Sequence, residues 1–209
     1  MAIEIELKAW LDKHEPVKAR LSSIGNYIRS FEKTDTYWLP IQEDAPSVSI
    51  SQSGLRVRRE SSVGADDRES SVVFVTVKKR KVIEGVEVND EREFCVSDAG
   101  LFEELAADLG LFKAMYKKKR GWEWVVQPEG EGSLPICAEI SMVKDLGWFL
   151  ELEILARNDK ESAVAECRKD LFSLLGSLGV PEEKIESKPY STLLRERWLI
   201  SNASPHSGN

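Results

Sequence analysis

Apolar and charged residues alternate in two short segments near opposite ends of the chain. The first is Ile3-Glu4-Ile5-Glu6-Leu7-Lys8, and the second is Phe149-Leu150-Glu151-Leu152-Glu153-Ile154. Successive side chains of a β-strand point to opposite faces, so each segment predicts a strand with one apolar and one charged face. Two glutamates share the charged face of each strand. Because hard divalent cations prefer oxygen ligands, this pattern indicates a metal site.

The same reasoning extends along the chain and predicts eight strands and four helices. We expect strands at Ala2–Trp10, Tyr27–Leu39, Gly54–Glu60, Ser71–Lys81, Val86–Val96, Leu111–Val126, Leu134–Met142 and Leu146–Ala156. We expect helices at Asp12–Ile24, Ser97–Leu109, Asn158–Leu178 and Pro189–Leu199. Asp12 and Ser97 are the predicted N-caps of the first two helices. The stretch Pro40–Ser53 is predicted as a loop and Ser61–Ser70 as a polar turn.

The predicted strands must accommodate a face that carries many charges. Such a face cannot pack against another apolar sheet. A closed barrel with a hydrated polar interior solves this problem, with helices covering the apolar exterior. Short connections favour antiparallel pairing. We therefore predict an α+β fold, an eight-stranded antiparallel closed β-barrel with helices packed on the outside, forming a single domain over residues 1–200 and followed by a flexible tail over residues 201–209.

Composition excludes several classes of protein. The chain has 209 residues, of which 42% are hydrophobic and 31% are charged, as in a soluble globular protein. Its net charge of −7 argues against a nucleic-acid partner. We find no apolar run long enough to cross a bilayer and expect no signal peptide, hence no membrane partner and a cytoplasmic protein. Cys95, Cys137 and Cys167 show no zinc or disulfide spacing and are expected to be reduced and mostly buried.

Basic residues accompany the glutamates on three further predicted strands. The segments are Leu55-Arg56-Val57-Arg58, Val75-Thr76-Val77-Lys78 and Lys117-Lys118-Lys119-Arg120. Arginine binds phosphate oxygens in a planar, two-pronged manner, and lysine acts as a point charge. Strand parity predicts that Lys118 and Arg120 point into the barrel and that Arg59, Lys79, Lys81, Lys117 and Lys119 point outward. A polar face with both carboxylates and cations suits a metal-bound polyphosphate.

Taken in order, these segments resemble the CYTH superfamily, also called the triphosphate tunnel metalloenzymes. Its branches include class IV adenylyl cyclases, thiamine triphosphatases and inorganic triphosphatases. The resemblance covers roughly residues 2 to 195. Its motifs are Glu4-Ile5-Glu6-Leu7-Lys8, Asp35-Thr36-Tyr37, Leu55-Arg56-Val57-Arg58, Thr76-Val77-Lys78, Arg92-Glu93, Lys118-Lys119-Arg120, Leu146-Gly147-Trp148-Phe149-Leu150-Glu151-Leu152-Glu153 and Lys188-Pro189-Tyr190-Ser191-Thr192-Leu193-Leu194.

The resemblance implies a role for each set of charged residues. The ligands of Mg²⁺ or Mn²⁺ would come from Glu4, Glu6, Glu139, Glu151 and Glu153. The phosphate-binding residues would be Lys8, Arg56, Arg58, Lys78, Lys118 and Arg120. Lys8 and Lys78 are also the expected catalytic residues. Glu91 and Glu93 are candidates for lining the tunnel, and Tyr37 for its mouth.

The function implied is a metal-dependent hydrolysis of an inorganic or organic triphosphate. Tripolyphosphate, ATP and thiamine triphosphate remain open as the small-molecule substrate, and the protein is a monomer or a homodimer. Three alternatives also stay open. They are a class IV adenylate cyclase that converts ATP to cyclic AMP and pyrophosphate, a non-catalytic nucleotide or polyphosphate binding protein, and a purely structural β-protein.

Overall fold

Eight strands close into an antiparallel barrel in the structure, a computed structural model that describes residues 3–40, 55–130 and 132–203. They are β1 (Ile3–Leu11), β2 (Asn26–Pro40), β3 (Leu55–Gly64), β4 (Glu69–Ile83), β5 (Val86–Val96), β6 (Leu111–Val126), β7 (Ile136–Val143) and β8 (Gly147–Ala156). Around the barrel the order is β1-β5-β4-β3-β2-β6-β7-β8. The predicted α+β fold with a closed eight-stranded antiparallel barrel is confirmed.

Four α-helices lie outside this barrel in the described part of the chain. They are α1 (Glu15–Ile24), α2 (Ala99–Asp108), α3 (Glu161–Ser177) and α4 (Tyr190–Ala203), and a short 3-10 helix occupies Glu182–Lys184. None of the described helices is long and apolar enough to span a bilayer. The most extensive contact between a described helix and the barrel is that of α3 with β8.

The main hydrophobic core lies between the outer face of the barrel and the helices, and the barrel interior is charged. Ile5 and Leu7 of β1 point outward and are fully buried against this layer. Leu21 of α1 and Leu171 of α3 belong to the same core. Each such leucine or isoleucine contributes about 1.5–3 kcal/mol by leaving water. This burial fixes the register of β1, so the intervening Glu4, Glu6 and Lys8 must face inward.

The predicted polar turn at Ser61–Ser70 is wrong. β3 continues to Gly64 and β4 begins at Glu69, with Ser61 paired to Ser71 and Ser62 paired to Ser70. Asp67 has a positive φ of 62°, and the Gly64 N–H donates to the Arg68 carbonyl at 2.9 Å. The serines therefore extend a hairpin, because antiparallel pairing overrides their low strand preference.

Helix starts differ from the predicted caps. The N-cap of α2 is Asp98 instead of Ser97, and its carboxylate accepts a hydrogen bond from the Leu101 N–H at 3.0 Å. α1 begins at Glu15, with Pro16 in its first turn, where a missing N–H costs nothing. Pro40 ends β2, and residues 41–53 of the predicted loop lie outside the described residues.

The C-terminal helix is longer than predicted. α4 extends to Ala203, which is three residues into the predicted tail, and residues 204–209 lie outside the described residues. The three cysteines are free thiols, as expected, but Cys95 is exposed and Cys137 is half-buried. Cys167 alone among them is buried, in the interface of α3 with the barrel.

We predict that Gly121→Ala lowers the melting temperature. A Cβ at this position of β6 would lie 2.0 Å from the Ile140 carbonyl oxygen and 2.8 Å from the Ser141 Cα, and both are backbone atoms of β7. Overpacking of this kind costs about 1–3 kcal/mol, so thermal unfolding should shift down by about 3–10 °C. Gly176→Ala in α3 is the control, because no atom lies within 4 Å and alanine favours helix. Equal melting temperatures for the two variants would contradict the close β6–β7 approach.

Candidate functional site

A charged cavity of about 380 Å³ lies inside the barrel. Among the described residues, eight basic and nine acidic side chains line it. The basic residues are Lys8, Arg29, Lys33, Arg56, Arg58, Lys78, Lys117 and Lys119. The acidic residues are Glu4, Glu6, Glu60, Glu87, Glu91, Glu93, Glu139, Glu151 and Glu153. Tyr37, Phe74, Thr76, Cys137, Pro189, Tyr190 and Ser191 complete the lining.

One side of the cavity gathers carboxylates around Lys78. The Lys78 Nζ lies 2.6 Å from Glu4 Oε1, 3.5 Å from Glu6 Oε2 and 3.8 Å from Glu91 Oε1. Burial by itself would lower the pKa of Lys78, but Glu4 and Glu6 overcome this effect and raise it. The Asn89 amide donates to Glu4 Oε1 at 3.1 Å. A single ammonium group thus serves three carboxylates.

Strand register brings further like charges together on this side. Glu6 of β1 is paired directly with Glu153 of β8 on one side and with Glu87 of β5 on the other. Like charges in directly opposed positions repel. Burial, followed by Glu4 and Glu6, raises the pKa of Glu153 to about 9. Burial also raises the pKa of Glu6, against the opposing effect of Lys78. This cluster carries more carboxylate than its cations can compensate.

A different ion pair fixes Arg58 on the wall formed by β2, β3 and β6. Arg58 donates from Nε to Asp35 Oδ1 at 2.7 Å and from Nη2 to Oδ2 at 3.0 Å, and the Lys117 Nζ lies 2.9 Å from Oδ2. Asp35 is fully buried. Burial alone would raise the pKa of Asp35, but Arg58 and Lys117 hold it well below its usual range. Because the pair is two-pronged, the guanidinium plane is held in one orientation.

Glu139 and Glu151 are held by lysines. Lys33 and Lys119 both donate to Glu139, and Lys119 also donates to Glu151. Burial alone would raise the pKa of Glu151, but Lys119 lowers it. Glu139 and Glu151 are paired across β7 and β8, which explains how one ammonium group reaches both.

The remaining predicted cations have defined partners. Arg56 donates from Nη2 to Thr76 Oγ1 at 3.0 Å and to Glu91 and Glu93 at 3.3 Å each. The Arg56 Nε is buried without a hydrogen-bond partner among the described residues. Lys8 donates to the Lys188 carbonyl at 2.7 Å, and its Nζ lies 3.6 Å from Glu87 Oε1.

Nine of the eleven predicted site residues line the cavity. They are Glu4, Glu6, Lys8, Arg56, Arg58, Lys78, Glu139, Glu151 and Glu153. Glu91, Glu93 and Tyr37 also line it. The positions of the nine predicted residues agree with the predicted inward faces of β1, β3, β4, β7 and β8.

The predicted inward placement of Lys118 and Arg120 is wrong, and so is the outward placement of Lys117 and Lys119. Lys118 is 41% exposed and pairs with Glu32, whereas Lys117 and Lys119 are 4–5% exposed. Four consecutive basic residues contain no apolar and polar alternation, so they do not reveal the parity of β6. The signal lies further along, because Trp122, Trp124 and Val126 share the outer face with Lys118 and Arg120.

Sequence reasoning also missed Arg29, Lys33, Asp35 and Glu60 as lining or supporting residues. Arg29 donates to both Glu60 and Glu123, and the Lys33 Nζ lies 4.0 Å from Glu60. All of the missed residues of β2 have odd numbers, like Tyr37, so the inward parity of Tyr37 would have identified them. Glu60 of β3 follows Arg56 and Arg58 at the same spacing of two.

The donor set fits a hard divalent cation. Glu4, Glu6 and Glu153 supply oxygen ligands, and their mutual repulsion would fall on binding a cation. The Asn89 Oδ1 is buried without a hydrogen-bond partner and lies on the residue that donates to Glu4. Among the described residues no three acidic, histidine or cysteine side chains form a ready-made metal site. Lys78 instead pairs with Glu4, Glu6 and Glu91, and Lys119 pairs with Glu139 and Glu151.

Comparison with known proteins gives a family and a fold. The family model described as the CYTH domain matches residues 2–190. No curated protein matches the chain. Among solved structures, the PH1819 protein from Pyrococcus horikoshii OT3 has a TM-score of 0.74 at 24% identity, over 93% of this chain and 99% of that chain.

Two further solved structures share the architecture. A proposed adenylate cyclase from Vibrio parahaemolyticus has a TM-score of 0.71 at 17% identity and covers 92% of this chain and 98% of its own. A proposed adenylyl cyclase from Hippeastrum, described as having a dominant triphosphatase activity, has a TM-score of 0.63 at 15% identity, with coverage of 94% and 96%. At these identities the similarities show the fold.

We predict that Lys119→Met destabilises the protein strongly and that Lys118→Met does not. Without the Lys119 charge, Glu139 still forms an ion pair with Lys33. The buried Glu151, in contrast, loses its ion-pair partner. Breaking a buried pair costs about 3–5 kcal/mol, whereas an exposed pair contributes about 0–1 kcal/mol. Thermal unfolding in metal-free buffer should show the difference. Similar losses in both variants would contradict the inward placement of Lys119.

We also predict a pH-dependent gain in stability for Glu153→Gln. The pKa of Glu153 is raised from 4.5 to about 9 in the folded protein, so its stabilising contribution is complete below pH 4.5 and is lost as the pH rises toward 9. In metal-free buffer the variant should match the wild type near pH 5 and exceed its stability near pH 9. Denaturant unfolding measures the difference, and Glu32→Gln on the outer face is the control. A difference that does not change with pH would contradict the carboxylate cluster.

Proposed function

Because the chain belongs to the CYTH domain family, we propose that it is a metal-dependent enzyme that hydrolyses a triphosphate held inside its barrel. The observation that carries the proposal is the cavity inside the barrel, in which buried carboxylates and cations face one another. These side chains are buried among one another, so each charge acts more strongly on a bound phosphate than it would in bulk water.

The cations on the walls would hold the phosphates. The Arg56 Nε is a buried donor that no described acceptor satisfies, and a phosphate oxygen would satisfy it. Arg58 is held in place by Asp35 before any ligand binds. Lys117 and Lys119 add two ammonium groups on the β6 wall, in place of the Lys118 and Arg120 predicted from sequence. Binding to preorganised cations loses less entropy than binding to mobile side chains.

The overall charge of the cavity explains the need for a metal ion. With nine acidic and eight basic lining residues, the described cavity is not positive by itself. A triphosphate brings about four more negative charges near neutral pH. Glu4, Glu6 and Glu153, with the Asn89 side-chain oxygen, would hold Mg²⁺ or Mn²⁺. The bound cation would neutralise phosphate charge.

Lys8 and Lys78 would act on the phosphoryl group that is transferred. Each carries a positive charge in the cavity, and Lys78 is held against Glu4 at 2.6 Å. In hydrolysis, water attacks the terminal phosphorus, the bond to the bridging oxygen breaks, and pyrophosphate and orthophosphate are released. Positive charge near the bridging oxygen and the equatorial oxygens lowers the barrier, because negative charge develops there. The dominant triphosphatase activity described for the Hippeastrum protein supports this choice.

ATP cyclisation is the second candidate. Tyr37 and Phe74 line the cavity and could stack on a nucleoside base, and a proposed cyclase from Vibrio parahaemolyticus shares the fold. In that reaction the ribose 3′-hydroxyl attacks the α-phosphorus and pyrophosphate leaves. The same cations and carboxylates would serve, with a different phosphorus facing the nucleophile.

We predict that the purified chain with Mg²⁺ or Mn²⁺ releases orthophosphate from tripolyphosphate and forms no cyclic AMP from ATP. Thiamine triphosphate and ATP should be assayed in parallel for phosphate release. Glu6→Gln should reduce the rate at least about 100-fold, since even outer partners of a metal site typically contribute 10–100-fold. Glu32→Gln, on the outer face, should retain full activity.

Two outcomes would overturn the proposal. Cyclic AMP and pyrophosphate formed from ATP would establish the cyclase instead. Tight triphosphate binding without turnover under either metal would indicate a non-catalytic binding protein.

A further inference from the structure

The first turn of α4 forms part of the cavity wall. Pro189, Tyr190 and Ser191 all line the cavity, although they lie far along the chain from the strands that build it. The Tyr190 ring packs edge-on against Phe149, with 4.9 Å between ring centroids and an interplanar angle of 86°. Together with Leu193, these rings form a small apolar cluster that fixes the position of the Tyr190 side chain.

Three ammonium groups surround the Tyr190 ring. The Nζ atoms of Lys8, Lys117 and Lys119 lie 4.6, 4.7 and 5.9 Å from the ring centroid. Cations are attracted to the face of an aromatic ring at such distances. Lys8 is further tied to this region because it donates to the carbonyl of Lys188, two residues before Tyr190. The start of α4 is therefore adjacent to three lysines, each of which also pairs with a carboxylate: Lys8 with Glu87, Lys117 with Asp35, and Lys119 with Glu139 and Glu151.

The Tyr190 hydroxyl is a buried polar group without a well-oriented hydrogen-bond partner among the described residues. The residue is 7% exposed, and its hydroxyl meets hydrogen-bond geometry with no atom of the described residues. Glu151 lies near enough for its charge to act on the phenol. Burial and then the charge of Glu151 raise the pKa of Tyr190 well above its usual value. A ligand oxygen would give this buried donor an acceptor in good geometry.

The helix itself adds backbone donors at the same place. The N–H groups of Thr192 and Leu193 both donate to the Pro189 carbonyl. The N–H groups of Tyr190 and Ser191 precede them and have no intrahelical acceptor, as in the first turn of any helix. α4 spans 14 residues, so its N-terminus carries a partial positive charge that favours an anion.

We propose that the start of α4 binds one terminal phosphate of the substrate, with the Tyr190 hydroxyl donating to a phosphate oxygen and Ser191 providing a second polar contact. The proposal rests on the proposed function, because it assigns one end of the triphosphate in that cavity. Lys8, Lys117 and Lys119 would neutralise the same phosphate from the β1 and β6 walls. α4 is thereby part of the binding site as well as part of the outer layer.

The test compares Tyr190→Phe with Tyr116→Phe. Phenylalanine keeps the ring, its packing on Phe149 and its attraction for the lysines, and removes the hydroxyl. Tyr116 lies on β6 and is 55% exposed, so its variant is the control. Binding of imidotriphosphate, an analogue with nitrogen bridges, is measured by calorimetry with Mg²⁺, and the melting temperature is measured without ligand.

Tyr190→Phe should weaken binding of the analogue about tenfold, because a hydrogen bond to a charged group is lost. Its ligand-free melting temperature should equal or exceed that of the wild type, because an unpartnered hydroxyl has been removed. Unchanged binding would overturn the inference, and a lower ligand-free melting temperature without weaker binding would assign the hydroxyl a structural role. Failure of the wild-type protein to bind the analogue would instead contradict the proposed function.

Discussion

The burial of charge inside a closed barrel is the constraint on which the rest of the structure depends. An unpaired ionised group is too costly to keep away from water, so the side chains of the interior hold one another in ion pairs. Asp35 with Arg58 and Lys117, and Glu139 with Lys33 and Lys119, are the clearest cases. The apolar layer between barrel and helices provides the stability that makes this interior possible.

The charges are not balanced evenly across the cavity. The β2, β3 and β6 wall carries most of the cations that line the cavity, and carboxylates such as Asp35, Glu60 and Glu139 hold them in place. The β1, β5 and β8 side gathers Glu4, Glu6, Glu87 and Glu153 around few cations. A cavity divided in this way has one side suited to phosphate oxygens and another suited to a divalent cation. A metal-bound triphosphate has that same division of charge, which is why the geometry supports this class of substrate.

The fold shared with structures from Pyrococcus, Vibrio and Hippeastrum is compatible with more than one reaction. Folds do not determine functions, and for the two reactions proposed above the distinction would rest on which phosphorus is presented to the nucleophile. That choice would depend on how a triphosphate is placed along the cavity. We therefore expect the uncharged lining residues Tyr37, Phe74 and Tyr190 to influence specificity.

The sequence by itself determined the alternating strands, the closed antiparallel barrel and the inward faces of β1 and β8, because apolar partners alternate with Glu4, Glu6, Glu151 and Glu153. The sequence also predicted that Arg56, Arg58 and Lys78 face the interior of the barrel. The sequence did not determine the inward face of β6, because four basic residues in succession show no alternation of apolar and polar side chains. Only the tertiary structure decided that Lys117 and Lys119 enter the cavity, that Asp35 anchors Arg58, and that Tyr190 reaches the lysines of β1 and β6. These contacts join residues far apart in the chain, and they exist because closing the barrel brings the strands together.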